Sequence, residues 1–287
     1  MLRSMFSAVS GLRSHQTMMD VTGNNVANVN TAGFKSSRTT FQETLTQLTR
    51  GGTAGIADPD GQGGQNPMQL GLGVQVAATD MINTQGASQA TGRPTDVAIQ
   101  GEGFFVVDRG GEQFFMRSGA FSFDAGGNLV APGGERVTGA NVADPAVGDD
   151  PDTALVLDPA ALEPLNVDLE AFTDVTIGAT GAVTGRNAAG ELRLLGQLAL
   201  ARFPNTEGLT RAGNGLFQGG GAAGDAIIDI PGDQGIGTLQ AGTLEMSNVD
   251  LAQEFTNLIL SQRGFQANAR TITTSDELLQ ELVNLKR

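Results

Sequence analysis

Apolar side chains at the start of the chain fall at alternating steps of three and four. Leu2, Met5, Val9, Leu12, Met19 and Val26, with Gln16 and Gly23 as the non-apolar members, trace the a/d seam of a heptad and predict a helix. Phe6 and Met18 widen that stripe. The far end repeats the pattern through Leu251, Phe255, Leu258, Gln262, Phe265, Ala269, Ile272, Asp276, Leu279 and Val283. Leu278, Leu282 and Leu285 form a second stripe beside it. Ser247-Asn-Val-Asp250 supplies a helix start, with a Ser or Asn cap and an acid in the first turn. Thr271-Ile-Thr-Thr-Ser275 is β-branched and predicts a soft spot in this second helix.

Between the helices the period changes. Val97–Ile99, Phe104–Val107 and Glu112–Met116 are short apolar runs separated by Gly-Glu-Gly and Arg-Gly-Gly, the pattern of strands and hairpins. Phe121–Val130 is echoed by Val175–Thr184, which predicts two similar hairpins in one β domain. Further strands are expected at 194–202, 226–230 and 238–245. Arg50–Gln65 is Gly-rich and reads as a linker, and Asp144–Asp158, with two prolines and five aspartates, reads as an exposed tip insertion. The expected class is α+β: terminal helical parts at 1–28 and 249–287, a bridging segment at 29–83, and a β domain at 84–248 with a small tip insertion at 141–165.

Composition narrows the chemistry. Apolar residues make up 39% of the 287, and adding the 41 glycines brings the share near that of a globular chain, so a core can form. With no Cys, disulfides, thiolate metal sites and cysteine nucleophiles are excluded, and the single histidine, His15, cannot by itself build a multi-histidine centre. No run approaches the length of a membrane span, and the first ten residues are too broken by polar side chains for a cleaved secretory signal. Charge is uneven: residues 1–50 carry a net +3, residues 245–287 a net −2, and the middle a net −15, which repels nucleic acid. Tyr and Trp are absent, which weakens stacking on bases or sugars.

Formal motifs fail on context. Gly219-Gly-Gly-Ala-Ala-Gly224 matches a dinucleotide fingerprint, yet Asp225–Ile230 after it reads as strand, where that fingerprint needs a helix. Asp58-Pro-Asp60 lacks the spacing of a calcium loop and reads as a turn; Asp149-Asp-Pro-Asp152 reads as a solvated loop. His15 lies off the heptad seam and reads as a helix-surface residue. No catalytic constellation, metal set or cofactor site emerges, so no enzyme is expected.

The most distinctive stretch is Asn24-Asn-Val-Ala-Asn-Val-Asn-Thr-Ala-Gly-Phe-Lys35. Locally it reads as a helix end in which Asn tolerates the left-handed region, Gly33 supplies a positive φ and Phe34 packs back. The clustered asparagines resemble the signature of the bacterial flagellar axial proteins, the rod and hook subunits. Met1–Leu12, Ala90–Phe105, Met246–Phe255 and Ser261–Asn268 are similar to the same family, and the closing Thr273–Arg287 looks most like a hook protein of the short type. The resemblance implies a homopolymeric tube subunit, exported through the flagellar type III apparatus, that forms the bendable hook outside the cell. The alternative within the family is the distal rod, and outside it a secreted β-rich enzyme or carbohydrate-binding module. Implied partners are the rod, the hook cap and the hook–filament junction proteins, with no nucleic acid and no membrane insertion. The terminal helices would pair and line a channel. Implied assembly residues are Leu2, Met5, Val9, Leu12, Met19, Asn24, Asn25, Asn28, Gly33, Phe34, Leu251, Phe255, Leu258, Phe265, Ile272 and Leu279.

Overall fold

The computed structural model describes residues 2–54, 63–142 and 162–285, with Leu2 described in its backbone only. The expected turn at Asp58–Asp60 and the acidic loop at Asp149–Asp152 therefore lie outside the described residues. The chain is α+β and divides into two compact units. One gathers residues 1–27, 37–80 and 250–287; the other gathers 28–36 and 81–249. The stretch 29–83, read from sequence as a single bridge, is shared between the two.

The first unit holds α1 (Leu2–Ala27), α2 (Leu251–Leu285) and four strands: β1 (Ser37–Glu43), β2 (Thr46–Arg50), β3 (Met68–Gly71) and β4 (Val74–Met81). β1 pairs with β4, and β2 with β3, as two separate ribbons. The helices run antiparallel: Asn25 Nδ2 donates to Glu254 Oε1 at 3.2 Å, and Gly11 lies against Asn268.

The faces they bury differ from the predicted stripes. On α1 the buried residues are Ala8, Gly11, Ser14, Thr22 and Asn25, a face one residue behind the predicted seam and so turned by about 100°. On α2 the seam keeps Leu258, Phe265, Ile272 and Leu279, all half-buried. Of the alternate seam positions Ala269 is half-buried as predicted, but Phe255, Gln262 and Asp276 are exposed and Glu254, Ser261, Asn268 and Ser275 take the inward side. Small side chains win these positions because two helices approach only as closely as their contacting residues allow. A Cβ on Gly264 would stand 2.5 Å from the His15 ring, so this glycine makes room for the histidine. His15, expected on the surface, belongs to the seam and meets Phe41 edge-on at 5.8 Å.

The helix runs unbroken through the expected soft spot, α2 being continuous from Leu251 to Leu285. Hydroxyls there turn back onto the helix: Thr274 Oγ1 donates to Arg270 O at 2.7 Å and Ser275 Oγ to Thr271 O at 2.7 Å. The cap is Asp250 rather than Ser or Asn, its Oδ1 accepting from Ala252 N at 2.8 Å and Gln253 N at 3.3 Å.

The second unit adds β6 (Val97–Gln100), β7 (Phe104–Arg109) and β8 (Glu112–Met116) at the expected places, and β5 (Ser88–Ala90), which the pattern did not predict. Its main sheet runs, in spatial order, 172–177, 182–187, 192–198, 136–141, β7, β8, 216–218 and 210–213. β7 shows why its run is continuously apolar: Phe105 and Val107 enter one core with Ile99, Phe121 and Leu198, while Phe104 and Val106 enter another with Phe115, Phe203 and Phe217. Alternate side chains leave opposite faces of a strand, and here both faces are buried. The tight β7–β8 turn places Gly110 and Gly111 both at positive φ, 68° and 89°, as a two-residue hairpin of this hand demands. The echoed segments both form antiparallel hairpins, 122–123 with 129–130 and 172–177 with 182–187. A strand at 227–229 follows Gly224, where a dinucleotide fingerprint would need a helix.

Candidate assembly elements

In the first unit the large apolar side chains that the helix seam does not use remain on the outside. Phe6 is 72% exposed and Phe255 51%, and Val9, Leu251, Ile259 and Leu260 are exposed with them. Met5, Leu12 and Met19 are half-buried, and Asn24 is exposed. β2 and β3 are exposed throughout and carry Leu48, Met68 and Leu70 outward. Two-stranded ribbons are marginal alone in water, so this one needs packing partners.

Asn25 is the fixed point of this unit. It is buried, with Nδ2 donating to Ser37 O at 2.7 Å and Oδ1 accepting from Ser37 N at 3.0 Å. The amide thus pairs with a backbone residue as a neighbouring strand would, and holds the start of β1 against the helix end.

The second unit takes the rest of the Asn-rich stretch. α1 ends at Ala27, after which Thr31 Oγ1 donates to Asn28 Oδ1 at 3.1 Å. None of the asparagines between 24 and 30 adopts a positive φ; Gly33 alone in this turn does, at 70°. A Cβ there would also stand 2.5 Å from Ser118 N, so Gly33 is required twice over. Its N–H donates to Glu245 O at 2.7 Å. Phe34 is half-buried and packs under the Arg211 guanidinium, 4.9 Å from the ring centre, while Arg211 donates to Lys35 O.

Behind this turn lies a buried charge cluster that sequence reasoning missed. Lys35 Nζ donates to Glu245 Oε1 at 2.6 Å and to Thr84 O at 2.8 Å. Arg117 Nε donates to Glu245 Oε2 at 2.5 Å, and its other nitrogens donate to Gly103 O, Ile99 O and Gly101 O. Gly86 N completes the carboxylate's partners at 2.9 Å. Burial and the nearby Arg117 charge pull the Lys35 ammonium below its ordinary value, against the pull of Glu245. Burial pushes the Glu245 carboxyl up, but Arg117, Lys35 and the Gly86 N–H together hold it below the usual carboxylate range. Asn248 closes the same region, accepting from Ser36 N at 2.7 Å and donating to Ile82 O at 2.8 Å. Period-two patterning gave no signal for the cluster, because Thr243 and Glu245 point inward around a half-buried Leu244.

Such an arrangement binds chain segments together and offers no exposed nucleophile, base or ligand set. Among the described residues no group of three or more His, Asp or Glu is placed to hold a metal, and no helix is long and apolar enough to cross a membrane.

Three family models match the chain. Residues 5–35 match the flagella basal body rod protein family, 98–185 the D1 domain of the flagellar hook protein FlgE/F/G family, and 240–285 the C-terminal region of the flagellar basal body rod FlgEFG proteins. The buried cluster takes one member from each matched stretch: Lys35, Arg117 and Glu245. The chain is 42% identical over 288 residues to the flagellar basal-body rod protein FlgG of Bacillus subtilis, with all of both chains covered. It is 37% identical to that of Agrobacterium fabrum, covering 96% of this chain and 97% of the relative. It is also 31% identical to the flagellar hook protein FlgE of Borreliella burgdorferi, covering all of both chains over a 444-residue alignment. Helical ends with an unused apolar exterior, a β-rich middle, and matches at both ends and in the centre lead to one conclusion: the chain belongs to the flagellar rod and hook family of axial structural proteins.

Proposed function

We propose that the chain is a subunit of the distal flagellar rod, polymerising into a straight, torque-transmitting tube, rather than a subunit of the hook. The observation that carries this reading is length. Rod relatives align over 288 and 284 residues, whereas the hook relatives of Borreliella burgdorferi and Treponema pallidum need alignments of 444 and 467. This chain of 287 residues lacks the extra material that such hooks carry. The closing stretch that looked hook-like falls in a region whose family description spans FlgE, FlgF and FlgG alike, so it does not separate them.

On this reading the subunit is exported through the flagellar type III apparatus and acts without catalysis. Its partners are further copies of itself and the axial proteins that adjoin the rod; the hook cap and hook–filament junction belong to the hook reading alone. The assembly residues are the exposed Val9, Leu251 and Phe255 together with Met5, Leu12 and Met19, with Asn25 holding the end of α1 to the start of β1. Electron microscopy of the purified protein concentrated under precipitant tests the choice. Straight, rigid tubes are expected; curved or supercoiled tubes return the chain to the hook.

A further inference from the structure

Among the described residues, two exposed apolar surfaces of the helical unit carry side chains of opposite charge. The first is a groove of about 520 Å³ between α1 and β4, lined by Phe6, Val9 and Arg13 on the helix and by Val74 and Val76 on the strand. Arg3, Phe6, Ser10 and Arg13 follow one another at steps of three, four and three, so the exposed Arg3 extends the same side of α1. Arg13 is the only charged residue in the lining.

The second surface is the end of α2. The pairs Asn25 with Glu254, His15 with Gly264 and Gly11 with Asn268 keep one constant antiparallel register. That register brings Leu2 level with Glu277, so residues 278–285 run past the start of α1 with no other described helix beside them. Leu278, Leu282 and Leu285 occupy positions i, i+4 and i+7 of this overhang and are 51%, 50% and 82% exposed. Glu277 and Glu281 flank them, both exposed. Lys286 and Arg287 follow outside the described residues.

We propose that the overhanging end of α2 seats in the α1–β4 groove of a second copy of this chain, its leucines over Phe6 and Val9 and its two glutamates toward Arg3 and Arg13. The inference rests on the homopolymer reading above and names the surfaces that perform it. Groove and overhang are different patches, so the contact is heterologous and repeats from copy to copy, as a filament requires. It cannot close within one chain. Val9 lies level with residue 270 in the helix register, and Leu282 is about 18 Å further along the axis at 1.5 Å per residue.

The test uses the full chain in a sedimentation assay under polymerising conditions. Arg3→Glu with Arg13→Glu, or Glu277→Lys with Glu281→Lys, should raise the concentration needed for polymer by about tenfold or more, because like charges then meet. All four changes in one chain should restore assembly to near the wild-type level. In parallel, a Val9→Cys and Leu282→Cys chain, free of native cysteine, should give an oxidation ladder of dimers, trimers and higher species from polymer and none from dilute monomer. Charge pairs that polymerise as well as wild type, a quadruple variant no better than either pair, or an absent ladder would each overturn the contact while leaving homopolymer formation intact. A wild-type chain that forms no polymer at all overturns the homopolymer reading and this contact with it.

Discussion

Glu245 pairs with two buried cations at once, Lys35 on one oxygen and Arg117 on the other, and both partners are almost wholly shielded from water. The three positions are therefore unequal. Glu245→Gln leaves two desolvated cations facing each other and should destabilise the β-rich unit by about 3–5 kcal/mol, the range for breaking a buried pair. Lys35→Met removes one cation, leaves the Arg117–Glu245 pair neutral and keeps a flexible stem of similar length. It should cost less than half as much. Urea denaturation followed by circular dichroism measures both; equal losses would show that the cluster acts as three packing volumes and not through charge. Asn25 and Asn248 work differently, each using its amide as a substitute for a strand edge where the chain has none.

At the level of elements, α1 presents Ala8, Gly11, Ser14 and Thr22 to α2, which answers with Ser261, Gly264 and Ser275 and the half-buried Leu258, Phe265, Ile272 and Leu279, while Phe6, Phe255, Ile259 and Leu260 stay outside. The fully buried positions of α1 are small or polar, so that side of the seam adds little apolar area and the pair is held mainly by the four half-buried side chains of α2. The apolar side chains that stay exposed are the ones that the proposed association with other copies would bury. Gly264→Leu places a branched side chain where the His15 ring lies. Overpacking of this kind costs about 1–3 kcal/mol, enough to separate a weakly held pair. Amide hydrogen exchange should show faster exchange along both helices with β6–β8 unchanged. Unaltered helix protection would mean that the ring turns aside and that the close approach is incidental.

For the whole molecule, acid acts differently on the two units. Glu245 is held below the ordinary 4.5, so its contribution is present above that value and is lost as pH falls through its lower folded value. Glu254, on α2, is shifted upward, by burial first and then by the Asp250 charge, against its hydrogen bonds to Asn25 and Asn257. Its contribution runs the other way, present below 4.5 and lost as pH rises through the higher folded value. Acidification thus weakens the β-rich unit while easing a burdened carboxyl in the helical one. The urea midpoint of the β-rich unit should hold above about pH 4.5 and fall as pH drops below it, and Glu245→Gln should flatten that fall. An unchanged slope in the variant would assign the acid response to other carboxylates.

The sequence by itself determined the two terminal helices and the strand-rich middle from Val97 onward, but not the strands β1–β5 within and just after the stretch read as a bridge. Periods of 3.5 and 2 are properties of local geometry, so the helical ends, β7, β8 and the echoed hairpins were all legible, as was Gly33 at a positive φ. The resemblance in the Asn-rich stretch and at both ends gave the family, though not the choice between hook and rod. Tertiary structure decided the facing. A heptad stripe marks residues that avoid water, and it does not say whether they meet the same chain or another; Leu258, Phe265, Ile272 and Leu279 turned inward while Phe6 and Phe255 stayed out. Only the folded chain could bring Lys35, Arg117 and Glu245 together, because their partnership depends on strand positions more than a hundred residues apart in the case of Arg117 and Glu245, and no local pattern encodes so distant a neighbour.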